Sequence, residues 1–337
     1  MEDAAIEKTR QRNIAGIIIA LIFSCAVIIF FYIKSRHPLY WPRIRSFALG
    51  PLDTWPRKGI TNFNSYGAYL YSLAGILLVD FLVLRERSAI ASLLKFRKSE
   101  RTDLVVGTAS IFGLSLTIPT VLTGGATAFI PQYLTRWRLN FIDDIPSIYV
   151  QIVIWLVALD FFHYWWHRAM HQSEVLWQFH AFHHSATTFT IFTGNRIHPI
   201  ETLMSVVLVS IPMLFVGAPT SSIFLFLFIR RLFDMAQHSF IPATFGSFGK
   251  WIIFSPVGHR IHHSDKPRHF DSNYGNIFSF WDHIFGTWYE GDDINETIGI
   301  PNNDFNQNGI VSDLVSPFAN AGKVIRNKAR RRPLYPS

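Results

Sequence analysis

His163-Tyr-Trp-Trp-His167-Arg-Ala-Met-His171-Gln-Ser-Glu-Val-Leu-Trp-Gln-Phe-His180-Ala-Phe-His183-His184 places six histidines in one stretch of 22 residues. Their spacing carries the information. His167 and His171 stand at i, i+4, and His180, His183 and His184 at i, i+3, i+4, so on a helix each set shares one face. The second pattern recurs as His259-Arg-Ile-His262-His263, with His269 close behind. One isolated histidine is usually a hydrogen-bonded core or surface residue. Three tuned clusters are not, and eight imidazoles exceed what one ion accepts. Imidazole suits iron, zinc, copper and nickel, so the pattern predicts a pair of metals held by helices.

Working outward, the flanking chain reads as membrane. Residues 14–33 form an uncharged apolar run long enough to cross a ~30 Å hydrocarbon layer. Lys8, Arg10 and Arg12 precede it as in a signal peptide, but the run is long and Lys34-Ser-Arg-His37 follows it, so a retained anchor is expected. Further spans are expected at 66–84, with Asp80 near its end, at 104–130, interrupted by Pro119 and Gly124-Gly125, and at 145–162, which leads straight into the histidines. Residues 203–216 and 221–229, joined by Gly217-Ala218-Pro219, read as a helical hairpin dipping into the bilayer. Two crossings or none return the chain to the side it left, so both histidine groups face one compartment. After Trp288 the chain turns polar and then basic, which reads as an irregular edge. The expected organisation is membrane spans at 1–144, a catalytic domain at 145–290 with its hairpin at 201–236, and a tail at 291–337. The fold class is all-α, a set of transmembrane helices with a cytosolic-face helical cap.

Composition agrees. Hydrophobic residues make up 49% and charged residues 16%, against about 25% charged in soluble proteins. The net charge of +8 gathers beside apolar runs, as headgroup anchors do, and is not spread over a soluble nucleic-acid-binding fold. Cys25 is the sole cysteine, which excludes an internal disulfide and a cysteine zinc site. Metal chemistry must come from His, Asp and Glu. A zinc protease of the His-Glu-x-x-His type is disfavoured because Arg168 stands where the glutamate base belongs. A non-catalytic metal or haem carrier is the remaining rival class.

The motifs His-x3-His, His-x2-His-His and His-x2-His-His resemble those of the fatty acid hydroxylase/sterol desaturase superfamily of membrane di-iron proteins. The resemblance covers 160–288. It includes Asp160, Tyr164-Trp165-Trp166-His167-Arg168, Arg196-Ile-His198-Pro199-Ile-Glu201, Gln237-His238, Asn273-Tyr274-Gly275 and Trp281-Asp282-His283-Ile284-Phe285-Gly286-Thr287. It implies that His167, His171, His180, His183, His184, His259, His262 and His263 ligate two non-haem irons, with His238 as a further ligand. Asp234 is a possible helper, and His163 and His198 are possible neighbours or linings. Asp160 is expected to orient an imidazole, and Asn273, Tyr274 and Gly275 to form a substrate-facing lid. Phe161, Phe162, Tyr164, Trp165, Trp166, Phe179, Phe182 and Phe189 are candidates for an apolar entry.

The resemblance further implies O2 as co-substrate and hydroxylation or desaturation of a lipid. No Gly-x-Gly-x-x-Gly fingerprint or iron–sulfur cysteine set is present, so electrons come from outside. The resemblance suggests cytochrome b5 or a ferredoxin with its reductase, and the basic residues Arg260, Lys266 and Arg268 could dock an acidic carrier, snorkel to the interface or bind phosphate. With a cytosolic N-terminus and four spans before His167, unless the third segment is re-entrant, the catalytic face is expected to be cytosolic, at the endoplasmic reticulum in a eukaryote or the plasma membrane in a bacterium. Asn295-Glu-Thr297 is a glycosylation reporter of that sidedness.

Overall fold

The computed structural model describes residues 74–111, 145–205, 230–291 and 297–331, apart from 76, 191, 231 and 302, together with Ile142 and Leu208. Its named helices are α1 (Ala89–Lys95), α2 (Lys98–Ile111), α3 (Ile148–Gln172), α4 (Glu174–His184), α5 (Gly246–Trp251), α6 (Pro256–His262), α7 (Phe280–Ile284) and α8 (Ile310–Arg331). Residues 199–205 and 232–237 are also helical. Extended pairing among the described residues is limited to two isolated bridges, Ile253 with Phe278 and Ser264 with Ile298. The architecture is mostly helical, as the sequence implied.

Among the described residues, no helix is long and apolar enough to cross a membrane. The expected anchor at 14–33, Cys25, His37, most of the hairpin and Asn295 lie outside the described residues. Of the expected span 66–84, the described part is helical to Leu84. The start of 104–130 belongs to α2, which begins earlier, at Lys98, and buries Glu100 and Asp103. The run at 145–162 becomes the first part of α3, whose Trp155 and Leu159 pack with Ile142 and Ile277.

One residue sets the geometry of the two helices that carry most of the histidines. Ser173 adopts an extended backbone (φ −92°, ψ 113°), which ends α3. Its N–H still bonds Ala169 O at 2.9 Å, while its Oγ accepts from Leu176 N at 3.3 Å and caps α4. With a one-residue hinge the helices fold back on each other. The His171 ring then lies 4.9 Å from His180 and 4.7 Å from His184.

A buried arginine holds the end of α4. Arg196 is fully enclosed and donates to Phe182 O at 2.8 Å, Ser185 Oγ at 2.6 Å, Asp103 Oδ1 at 3.0 Å and Asn306 Oδ1 at 2.8 Å. A buried guanidinium is tolerable only when its donors are matched in this way. The same contacts tie α2, the His183-His184 end of α4 and the segment before α8 into one unit.

The reading of 291–337 as an irregular tail does not hold for 310–331. Those residues form α8, which packs on α4 through Phe318 against Phe179 (5.3 Å). Leu314 O accepts from His198 Nε2 at 2.9 Å. The Lys328–Glu174 pair at 3.1 Å is exposed on both sides and adds little stability.

Candidate metal centre

Nine histidines converge from four parts of the chain. His167, His171, His180, His184 and His262 form one group, and His183, His238, His259 and His263 the other. Within each group the candidate ligand nitrogens all lie within 4.8 Å of one another. α3 supplies two of these side chains, α4 three and α6 with its end three, while His238 follows the helix at 232–237. α6 is well specified locally, because Ser255 Oγ accepts from Gly258 N at 3.0 Å and Pro256 takes the first turn. The two groups are contiguous, since His184 and His263 stack at 4.1 Å across them.

Four rings are oriented from behind. His167 Nδ1 donates to Tyr274 O (2.9 Å), His262 Nδ1 to Ser272 O (2.8 Å), His238 Nδ1 to Asp234 O (2.7 Å) and His180 Nδ1 to Glu201 Oε1 (3.1 Å). Carbonyl and carboxylate oxygens only accept, so the proton of each ring sits on Nδ1 and Nε2 is a bare lone pair aimed into the group.

Those lone pairs meet other ring nitrogens. His238 Nε2 is 3.0 Å from His259 Nε2 and 3.3 Å from His183 Nε2, and His180 Nε2 is 3.2 Å from His184 Nε2. Both nitrogens of His263, and Nε2 of His171 and of His262, are buried without a hydrogen-bond partner. Buried polar atoms left in this state are costly, and a cation in each group would take up one nitrogen of each of these rings. Burial pushes His167, His171, His183, His184, His259 and His263 well below the ordinary imidazole range, and neighbouring imidazoles add to the effect. His262 falls to about 3, chiefly by burial. These seven rings are therefore neutral, the form that binds metals. The residues fit a pair of imidazole-bound metals.

A second hydrogen-bonded chain supports the first group. Arg168 Nη1 donates to Tyr164 Oη (3.2 Å), Tyr164 to Thr287 Oγ1 (2.8 Å) and Thr287 to Asp282 Oδ1 (2.7 Å). Asp282 also accepts from Tyr274 N at 2.7 Å and Gly275 N at 2.8 Å. It therefore fixes the peptide whose carbonyl holds His167. Burial pushes its carboxyl up to about 7, against these donors. A side chain at Gly275 would meet Phe278 O at 2.6 Å and Asp282 Oδ2 at 2.9 Å, so this turn requires glycine.

Several expected roles change. Asp160 accepts from Ile277 N and Phe278 N, each at 2.9 Å, so it braces a loop where an imidazole contact was expected. Its neighbours explain this, because α3 packs that face on Ile277. Asn273, Tyr274 and Gly275 are buried, forming a wall where a lid was expected. The Tyr274 ring lies 5.2 Å from that of His171. Asp234 sits behind His238, its Oδ1 3.4 Å from Nδ1. His163 lies beside the first group, its ring 5.6 Å from His167. His198 uses both nitrogens elsewhere, accepting from Ile200 N at 3.2 Å and donating to Leu314 O. Arg260 is buried against Phe240 (5.8 Å), so it cannot dock a carrier, whereas Arg268 is exposed. Among the candidate entry aromatics, Phe189 faces the second group, 5.1 Å from His263 and 5.5 Å from His238.

Glu201 had no assigned role in the sequence reading. The available signal was an acid in the otherwise uncharged segment Pro199-Ile-Glu201-Thr-Leu-Met. The carbonyls of Ser272 and Tyr274 carry no side-chain signal at all.

A helical, all-histidine double site of this kind is able to hold metal ions. Residues 152–287 match the fatty acid hydroxylase family model, so this segment of the chain is similar to that family. It is 31% identical over 201 residues to ornithine lipid hydroxylase OlsE of Rhizobium tropici, covering 59% of each chain. It is 31% identical over 169 residues to alkylglycerol monooxygenase of Caenorhabditis elegans, covering 49% of this chain and 32% of the relative. It is 27% identical over 184 residues to very-long-chain aldehyde decarbonylase GL1-5 of Oryza sativa subsp. indica, covering 51% and 28%. The chain thus spans less than two thirds of each of these relatives. No solved structure matches.

Proposed function

We propose that this chain is an integral-membrane, O2-dependent, non-haem di-iron oxidoreductase that hydroxylates or desaturates a lipid with electrons supplied from outside. The observation that carries the reading is the pair of buried groups of five and four histidines, with ligand nitrogens within 4.8 Å in each. No carboxylate belongs to either group, so the donors leave both ions their full charge. Five and four imidazoles also leave positions free on six-coordinate ions. The names of the relatives, a lipid hydroxylase and a monooxygenase, favour iron over the other metals that imidazole accepts.

When bound, iron supplies the redox chemistry that activates O2. The chain's own residues do the rest. Glu201, Asp234 and the carbonyls of Ser272 and Tyr274 orient the rings and fix their tautomers. Trp177, 5.0 Å from His171, Tyr274 and Phe189 present apolar faces that exclude water from the groups. The mixed aromatic surface of α3 beyond Phe161 is the approach proposed for an alkyl chain. A cytosolic face is consistent with an external carrier such as cytochrome b5 or a ferredoxin.

The test uses membranes expressing the chain, supplied with an electron donor and 18O2, with lipids read by mass spectrometry. Label, or a new double bond, should appear in one lipid class and vanish in His184→Ala and His263→Ala at equal membrane expression. Turnover that persists in both variants would overturn the reading.

A further inference from the structure

The C-terminal helix α8 presents two apolar faces. One packs on α4, with Ala321 buried and Phe318, at the edge of that face, against Phe179. The other faces outward: Val311 is 72% exposed, Val315 59%, Phe318 49% and Ile325 56%. At 100° per residue these positions, with Gly322 between them, form a single stripe along the helix. A row of exposed large apolar side chains on one element marks an interaction surface.

The charges say which kind of partner. The helix carries Lys323, Arg326, Lys328, Arg330 and Arg331 against one acid, Asp313. That acid is unavailable, being buried and accepting from Asn306 N at 3.1 Å. Lys323 and Arg326 are exposed and flank the apolar stripe on its polar side, where Ser312, Ser316 and Asn320 also lie. Arg332 extends the basic run in sequence. A strongly amphipathic helix with a basic polar face suits an interface lined by negative charge over an apolar layer.

We propose that α8 lies along the surface of a bilayer containing anionic lipids, with Val311, Val315, Phe318 and Ile325 in the headgroup–acyl boundary and Lys323 and Arg326 on phosphates. The helix would thereby set the height and tilt of α4, on which it rests, above the membrane. This goes beyond the proposed chemistry and does not depend on which lipid is oxidised.

The test uses the full chain in nanodiscs, in a Cys25→Ser background that removes the single native cysteine. An environment-sensitive fluorophore is placed at Val315→Cys or, as control, at Asn327→Cys, which is exposed on the polar side. In phosphatidylcholine with phosphatidylglycerol, the Val315 probe should be blue-shifted and quenched by lipids brominated near the headgroup, and the Asn327 probe should not. Lys323→Glu/Arg326→Glu should lower that docking by roughly twentyfold, from about fivefold per basic residue, with metal content unchanged. Equal quenching at both positions, or none at Val315, would overturn the proposal. So would Val315 probes that self-quench between chains, which would assign the stripe to a second copy.

Discussion

Replacing Glu201 by glutamine separates holding a metal from holding the fold. Glu201 Oε1 takes the Nδ1 proton of His180 at 3.1 Å, and both side chains are buried (8% and 3% exposed). Its other oxygen, Oε2, is buried without a partner. In the metal-free protein that charge is poorly compensated, and removing it is neutral or stabilising. With metal on Nε2, the ring becomes a stronger donor and the carboxylate counterbalances it. Glutamine keeps an accepting oxygen but no charge, so metal affinity should fall about ten- to a hundredfold, or roughly 1.4 to 2.7 kcal/mol. The assay is competition with a chelator, paired with melting curves of metal-free and loaded protein. The metal-free variant should melt at or above wild type and the loaded one below it. Equal destabilisation of both forms, or unchanged affinity, would refute the reasoning.

Gly194→Ala should loosen the second group from behind. A side chain there would meet Asp234 Oδ2 at 2.5 Å, displacing the residue that anchors His238. Metal content should drop towards one per chain with helicity retained by circular dichroism. Acid should destabilise the metal-free protein. The buried rings titrate well below 6.5 when folded and at about that value when unfolded. Stability is thus full above pH 6.5, and below it the unfolded chain gains protons that the folded one refuses. Each such ring then removes about 1.4 kcal/mol per pH unit, which urea midpoints between neutral and mildly acidic pH would reveal. A flat profile would contradict the neutral, buried state of these rings.

The histidine offsets were legible because imidazoles at i, i+3 and i+4 share a face whatever surrounds them. Both halves of the sequence pattern therefore reappear in the two groups. How the motifs divide between the groups was not legible. His180 and His184 join His262, while His183 joins His259 and His263, because adjacent positions on α4 diverge by 100°. Second-layer roles were the least readable. Asp160 shares a helix with His163 and His167, yet its carboxylate meets backbone N–H groups brought in from 277 and 278. The hydrogen bonds from Ser272 and Tyr274 come from carbonyls that every residue possesses. α8 escaped notice because Pro317 and Gly322 interrupt it, and both usually mark loops. Its packing against α4 outweighs that local cost.

The central claim is that the two histidine groups each hold a metal, and metal stoichiometry tests it most directly. Protein purified anaerobically in mild detergent should contain two irons per chain by elemental analysis. His167→Ala, in the first group, and His259→Ala, in the second, should each reduce that to about one. One metal or fewer in active wild-type protein, or variants that keep two, would contradict it.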